Sequence, residues 1–316
     1  MEHKHKRLLL LLGAVSILAI ILFLGFDLQG NVTYALTKRS QRVLAIILSG
    51  TSIAVATVLF QTVVQNRILT PNVLGLDSLY MLFQTALIFA FGSINLLDFS
   101  KEANFVLSVF LMVSFSGILF RMLFQQQRNI YLLLLIGLVI GTFLQSLTSF
   151  MQMMLDPNEF LHVQDKSFAS FTNIDFDVFL LAVCLFLIAC LLIWCFWHKL
   201  DVMSLGREQA INLGVQYEAV VRQVLLVVIL LIALSTALVG PLTFLGLLVV
   251  NITYQLFGTY RHNILVPAAI LLSISILVGG QFIVEKIFFL GTPLSVVINL
   301  VGGAYFIYLL WRGNTQ

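Results

Sequence analysis

The chain has 316 residues, of which 60% are hydrophobic and only 10% are charged, and its mean hydropathy is +1.05. Soluble domains carry about 25% charged residues, so this chain cannot cover itself with a water-compatible surface, and it leaves no room for a soluble catalytic domain of about 100 to 200 residues. The net charge of +3 is spread over the segments between apolar runs, which argues against nucleic acid as a partner.

Apolar segments of about 20 residues recur along the whole sequence, which is the length that a helix needs to cross about 30 Å of hydrocarbon. Because helices satisfy the backbone of an open chain there, we expect an all-α membrane protein that forms one domain over residues 1–316. Ten spans are predicted, in chain order, at residues 8–26, 42–64, 73–92, 105–124, 130–152, 178–198, 223–239, 242–257, 264–284 and 294–311. Only Gly240 and Pro241 join the seventh and eighth spans, which indicates a broken or re-entrant element.

The basic residues favour an orientation with both termini in the cytoplasm. With ten spans, the inner side receives eleven of the seventeen lysines and arginines: Lys4, Lys6, Arg7, Arg67, Arg121, Arg128, Lys199, Arg207, Arg222, Arg261 and Arg312. Lys38, Arg39 and Arg42 are the exception, because this topology places all three outside. Such a group of outer cations suggests either a functional surface or anchoring to lipid phosphates.

Two connections between the spans are long enough to carry structure of their own. The outer one, residues 153–177, contains Phe168 and Phe171, which indicate a short surface helix. The inner one, residues 199–222, contains a helical piece at residues 208–212 between Gly206 and Gly214. Its apolar side suits docking to a partner or to lipid.

Small and polar residues recur every three or four positions along the fifth span, so they occupy one stripe of that helix. The stripe consists of Gly137, Gly141, Gln145, Ser149 and Gln152. Small residues permit close helix packing, whereas glutamines in hydrocarbon need partners or water. Both a tight helix interface and the wall of a translocation pathway therefore stay open for this stripe, and Asn299 of the last span is a further pathway candidate.

The sequence contains no H-E-x-x-H motif, nucleophile elbow or phosphate loop, so we expect no catalytic residue and no metal site. Charged residues are nearly absent from the middles of the spans, which disfavours a transporter that relays protons through buried carboxylates. A secondary transporter that is coupled through neutral ligands remains an alternative.

Three blocks together resemble the permease subunits of the iron-siderophore and vitamin B12 class of ATP-binding-cassette importers, the type II importers. The first block contains R-S-Q-R at 39–42, Gln61 and N-R-I-L-T-P-N-V-L-G at 66–75. The second is L-G-R-E-Q-A-I-N-L-G at 205–214, and the third is G-P-L-T-F-L-G-L at 240–247. The residues of the first block, together with G-L-L-V-V-N at 246–251, resemble those of the catechol-siderophore branch of this family, which includes petrobactin and anguibactin permeases.

The resemblance implies a type II permease fold that moves ferric siderophore, in preference to haem or cobalamin, across the bacterial cytoplasmic membrane. It implies no cofactor in this chain, because ATP and Mg²⁺ would bind two copies of a partner ATPase. Other implied partners are a second permease copy or paralogue, an extracytoplasmic siderophore-binding protein and membrane lipid.

The resemblance also assigns two contact surfaces. Arg39 and Arg42 match the arginines at which a binding protein docks, and Lys286 is a possible third contact, since Val284 stands where a basic residue is usual. The segment that would be seated in the ATPase consists of Leu205, Gly206, Arg207, Glu208, Gln209, Ala210, Ile211, Asn212, Leu213 and Gly214.

Overall fold

The computed structural model describes residues 2–26, 32–95, 100–124, 130–172, 174–287 and 293–313. Within these ranges the chain forms twelve α-helices and no strand, which confirms the expected all-α class. The helices are α1 (Glu2–Gly25), α2 (Val32–Val64), α3 (Leu76–Asn95), α4 (Lys101–Phe124), α5 (Ile130–Gln152), α6 (Pro157–Ser167), α7 (Phe176–Met203), α8 (Arg207–Asn212), α9 (Tyr217–Val239), α10 (Leu245–Phe257), α11 (His262–Phe282) and α12 (Leu294–Gly313).

Ten of these helices coincide with the ten predicted spans, and the other two, α6 and α8, lie in the two long connections. Seven of the ten are long and apolar enough to cross a membrane, while α3, α10 and α12 contribute shorter apolar stretches. Arg128, one of the basic residues that are predicted on the inner side, lies outside the described residues.

Two predicted spans begin within irregular segments and not within an α-helix. The third predicted span begins at residue 73, but Pro71–Leu74 form a 3₁₀ turn and α3 starts only at Leu76. The eighth begins at residue 242, but α10 starts at Leu245 and has 13 residues, about 20 Å of helix. A proline stands near the start of each irregular segment, where it supplies no N–H for a continuing helix.

The short helix expected between residues 153 and 177 is α6, but it ends at Ser167, before the two phenylalanines that suggested it. Phe171 is only 1% exposed and packs in the core instead of on a surface helix. Pro157 stands at the first turn of α6, where its missing N–H costs nothing.

The centre of the bundle is formed by α2 and α9, which pack against each other and are largely buried. Helices α10 and α11 pack on α2, and α4 and α7 pack on α9. Around them, α1, α5 and α7 expose large apolar side chains such as Leu10, Phe143 and Trp194, as helices in contact with lipid do. We name the two ends of the bundle after the short helix at each, the α6 end and the α8 end.

Candidate functional site

A cavity of about 530 Å³ lies between α3, α5, α6 and the irregular segment 240–244. This volume lies within the range of about 300–1,000 Å³ that small-molecule sites occupy. Helices α5 and α6 line it with neutral polar side chains, namely Gln145, Thr148, Ser149, Gln152, Gln164 and Ser167. Asn72, Asp77, Ser78 and Thr243 complete the polar wall on the opposite side.

Asp77 lies in the first turn of α3 and connects the two irregular segments. Its Oδ2 accepts hydrogen bonds from Asn72 Nδ2 at 2.9 Å and from Thr243 Oγ1 at 3.1 Å. Its Oδ1 is buried and accepts no hydrogen bond from the described residues. The carboxyl group therefore holds the turn before α3 against the segment before α10.

The predicted stripe of α5 divides into two parts with different surroundings. Gln145, Ser149 and Gln152 line the cavity. Gly141 instead faces Gly75, where an added Cβ would lie 3.0 Å from the Gly75 Cα. The carbonyl oxygen of Gly137 is at the same contact, 3.3 Å from the position that a Cβ on Gly75 would occupy. The glycines of the stripe therefore form a tight interface, and its polar residues line a cavity; that the stripe is a pathway wall stays a prediction.

Asn299 does not line this cavity. It lies on α12, which packs against α10 and α11, and its Oδ1 is buried without a hydrogen-bond partner among the described residues.

The sequence reasoning missed Asp77 as a site residue, although a signal was present. Asp77 is the one charged residue within the predicted span 73–92, and an acidic residue in an apolar span is a functional candidate by itself. Its partner Thr243 is 166 residues away along the chain, so no local pattern could place the two side chains together.

At the opposite end of the bundle, α8 is a helix of six residues with a glycine in a left-handed or extended positive-φ conformation on each side. Gly206 precedes it with φ +100°, and Gly214 follows it with φ +82°. The N–H of Gly214 donates to the Ile211 carbonyl and the N–H of Val215 donates to the Ala210 carbonyl, which is the Schellman pattern of helix termination.

The two sides of α8 differ in polarity and burial. Ala210 is fully buried against the bundle. Leu205, Ile211 and Leu213 are 51%, 47% and 63% exposed, so the segment presents an apolar patch away from the bundle. Arg207, at the edge of this patch, forms an ion pair with Glu218 of α9 at 3.5 Å.

The segment around α8 is bound to the end of α2 by hydrogen bonds. Gln65 Nε2 donates to the carbonyl of Met203, the last residue of α7, at 2.9 Å. His262, 2% exposed, contacts Asp201 Oδ1 through Nδ1 at 2.6 Å and Thr62 Oγ1 through Nε2 at 2.8 Å. A displacement of α8 would therefore be passed to α2 and α11 together.

The segment that follows α2 connects this helix to the wall of the cavity. Gln61 Nε2 donates to the carbonyls of Arg67 and Leu69, and Asn251 Nδ2 of α10 donates to the same Arg67 carbonyl. These bonds fix the segment between α2 and the 3₁₀ turn before Asp77, so that α8 and the cavity are joined by a continuous set of contacts.

The arginines predicted as docking contacts lie at the α6 end and have partners within the chain. Arg39 Nη1 donates to the carbonyls of Phe23, Leu24 and Phe26 at the end of α1, where a cation satisfies free carbonyl groups. Arg42 Nη1 pairs with Glu285 Oε1 at 3.0 Å. Lys286 is next to Glu285 in the π-helical turn Ile283–Ile287, so Arg42 and Lys286 lie near one another.

A group of carboxylates at the same end offers oxygens within 4.8 Å of one another, from Glu102, Asp175 and Asp177. Asp175 is already in use, because it caps α7 and pairs with Lys101 at 3.4 Å. Near it, partial burial and repulsion from Lys101 lower the pKa of Lys166.

Sequence comparison matches residues 7–312 of this chain to the FecCD transport family. The chain is 53% identical over 312 residues to the petrobactin import system permease protein YclO of Bacillus subtilis, covering 98% of this chain and 99% of that protein. It is 36% identical over 276 residues to the petrobactin import system permease protein FatC of Bacillus anthracis, covering 87% of this chain and 78% of that protein.

Structure comparison aligns the chain with a transporter described as of the metal-chelate ABC type, in an inward-facing conformation. The TM-score is 0.84 at 20% sequence identity, and the alignment covers 98% of this chain and 99% of the other. This likeness confirms the type II permease fold.

Proposed function

This chain belongs to the FecCD transport family, and we propose that it is the permease subunit of an ATP-binding-cassette importer that moves a ferric siderophore across the bacterial cytoplasmic membrane. The observation that supports a ferric siderophore as the substrate is the 53% identity, over nearly the full length of both chains, to a permease of a petrobactin import system. The chain is not itself an enzyme, and ATP hydrolysis belongs to a separate subunit.

The α8 end faces the cytoplasm in this proposal, together with both chain termini, and the α6 end faces outward. The exposed patch of Leu205, Ile211 and Leu213 would then seat in the ATPase. Two ATPase copies and a second permease copy or paralogue would complete the transporter. A binding protein would deliver cargo at the α6 end, beside Arg39, Arg42 and Lys286.

The contacts described above supply the mechanism of coupling. ATP binding changes the spacing of the two ATPase subunits and displaces α8. Gln65 is hydrogen-bonded to Met203, and His262 is hydrogen-bonded to both Asp201 and Thr62. The displacement is therefore transmitted to α2 and to the turn before Asp77. The cavity wall formed by α3 and segment 240–244 therefore moves relative to α5, which changes the access of the cavity to one side.

The test is uptake of radiolabelled ferric petrobactin in cells that carry this permease as their sole route. We expect uptake to stop when ATP is depleted with the proton gradient intact, and to continue when the gradient is collapsed with ATP intact. Gly206→Pro should abolish uptake at an unchanged membrane level, because proline cannot adopt φ +100°.

Gly303→Ala is the matched control, because an added Cβ there meets no atom within 4 Å. Its uptake should equal that of the wild type. Uptake that follows the proton gradient, or full activity of Gly206→Pro, would contradict the proposal and favour a secondary transporter. Competition by unlabelled haem or cobalamin would favour one of those cargoes instead.

A further inference from the structure

The wall of the cavity between α3, α5, α6 and segment 240–244 contains few ionisable groups. Amide and hydroxyl side chains supply its polar surface, and among the described lining residues Asp77 alone is ionisable. No lysine, arginine or histidine is part of that lining. The described wall therefore contains one acidic group and no basic group.

The Asp77 carboxylate is held in place but is only partly compensated. Both of its donors, Asn72 and Thr243, bond to Oδ2, and the buried Oδ1 accepts no hydrogen bond from the described residues. It lies in the first turn of α3, where the field of the helix N-terminus favours the ionised form and burial opposes it. An ionised carboxylate without a cationic partner attracts positive charge into the adjacent cavity.

We propose that Asp77 determines cargo specificity by interacting with a positively charged group, a protonated amine, on the outer surface of the ferric chelate. This inference rests on the proposed function and names the substrate class of its cavity. A chelate of uniformly negative surface would be repelled by Asp77, whereas a chelate with an amine would bind with its positive group toward α3. Its oxygen atoms would face the amides of Gln145 and Gln152 across the cavity.

Asp77 also has a structural role, since it joins the turn before α3 to segment 240–244. Loss of that role would affect every cargo alike, because it disturbs the shape of the cavity. Loss of the charge would affect only cargoes that carry the amine. The comparison of two cargoes therefore separates the two roles.

The experiment uses the complete transporter in vesicles, with the binding protein saturated by either of two probes. One probe is the ferric complex of a synthetic catecholate chelator with a free primary amine, and the other is the same complex with that amine acetylated. Initial uptake rates are compared for the wild type, Asp77→Asn, Asp77→Glu and Thr243→Val.

The wild type should transport the amine probe at least about tenfold faster than the acetylated probe. Asp77→Asn, which keeps the shape and removes the charge, should bring the two rates within about twofold. Asp77→Glu keeps the charge and should retain the preference. Thr243→Val removes one hydrogen bond but no charge, and should slow both probes by the same factor.

Equal rates for the two probes in the wild type, or a preference that survives in Asp77→Asn, would overturn the inference while leaving the importer intact. Failure of the wild type to transport either probe, in vesicles that do transport ferric petrobactin, would overturn this inference alone. Failure to transport ferric petrobactin with ATP present would overturn the proposed function, and this inference with it.

Discussion

The contact between α5 and the start of α3 allows a prediction with a defined magnitude. An added Cβ on Gly141 would lie 3.0 Å from the backbone Cα of Gly75. Neither atom can rotate away, because the position of a Cβ is fixed by its own backbone. A carbon–carbon contact this short is tighter than ordinary packing, so Gly141→Ala must separate the two segments by a few tenths of an ångström. Such overpacking costs about 1–3 kcal/mol of folding free energy.

Replacing glycine by alanine in a helix also gains about 1 kcal/mol of propensity, which would hide part of that cost. Gly303→Ala in α12 gains the same propensity without a clash, because its added Cβ meets no atom within 4 Å. The stability difference between the two variants therefore isolates the contact. Gly141→Ala should be less stable than Gly303→Ala by about 1–3 kcal/mol.

The assay is thermal unfolding in mild detergent, followed by the fluorescence of the three tryptophans. We expect the Tm of Gly141→Ala to lie at least about 2 °C below that of Gly303→Ala. We also expect slower uptake in Gly141→Ala, because α5 and Asp77 form facing walls of the cavity. Equal Tm values would refute the close contact of Gly141 with Gly75.

Two further substitutions test the ends of the bundle. His262→Leu removes the side-chain bonds to Asp201 and Thr62, while the backbone N–H of residue 262 still donates to Asp201. It should lower the free energy of unfolding by about 1.5–3 kcal/mol in chemical denaturation. The exposed His198→Leu should leave this free energy unchanged, and equal losses would contradict the role of His262. Arg42→Ala should weaken the affinity of the transporter for its binding protein at least about fivefold, measured by titrating the binding protein over immobilised transporter. Lys38→Ala is the control. An affinity loss in Arg42→Ala no larger than that in Lys38→Ala would show that Arg42 is not part of the docking surface.

Helix number and class were predictable from the sequence because they depend on local properties. An apolar run indicates a span wherever it packs, and each of the ten predicted spans corresponds to a helix. Gly206 and Gly214 likewise defined α8 within one residue, because the ends of a short helix depend on the conformation of single residues.

The cavity could not be predicted in the same way, because it depends on contacts between distant segments. Asp77 is hydrogen-bonded to Thr243, which is 166 residues away in the sequence, and Arg42 is hydrogen-bonded to Glu285, which is 243 residues away. The α5 stripe showed which residues share a helix face, but only the packing of Gly141 on Gly75 decides which part of that face meets protein and which part meets the cavity. Helical periodicity contains no information about the partner of a face.

The α8 contact with an ATPase is the central claim, and co-purification measures it most directly. The tagged chain is purified from its native membrane in mild detergent, and associated proteins are quantified by mass spectrometry. Arg207→Glu with Ala210→Asp should disrupt α8, because it reverses a rim charge and buries a carboxylate at a fully buried site. Lys101→Glu, which changes an exposed lysine at the α6 end, is the control.

We predict that the wild type and Lys101→Glu recover an ATPase in roughly equal copy number with the permeases, and that the double variant recovers the permeases without it. A wild type that recovers no ATPase, from membranes shown to contain one, would contradict the account.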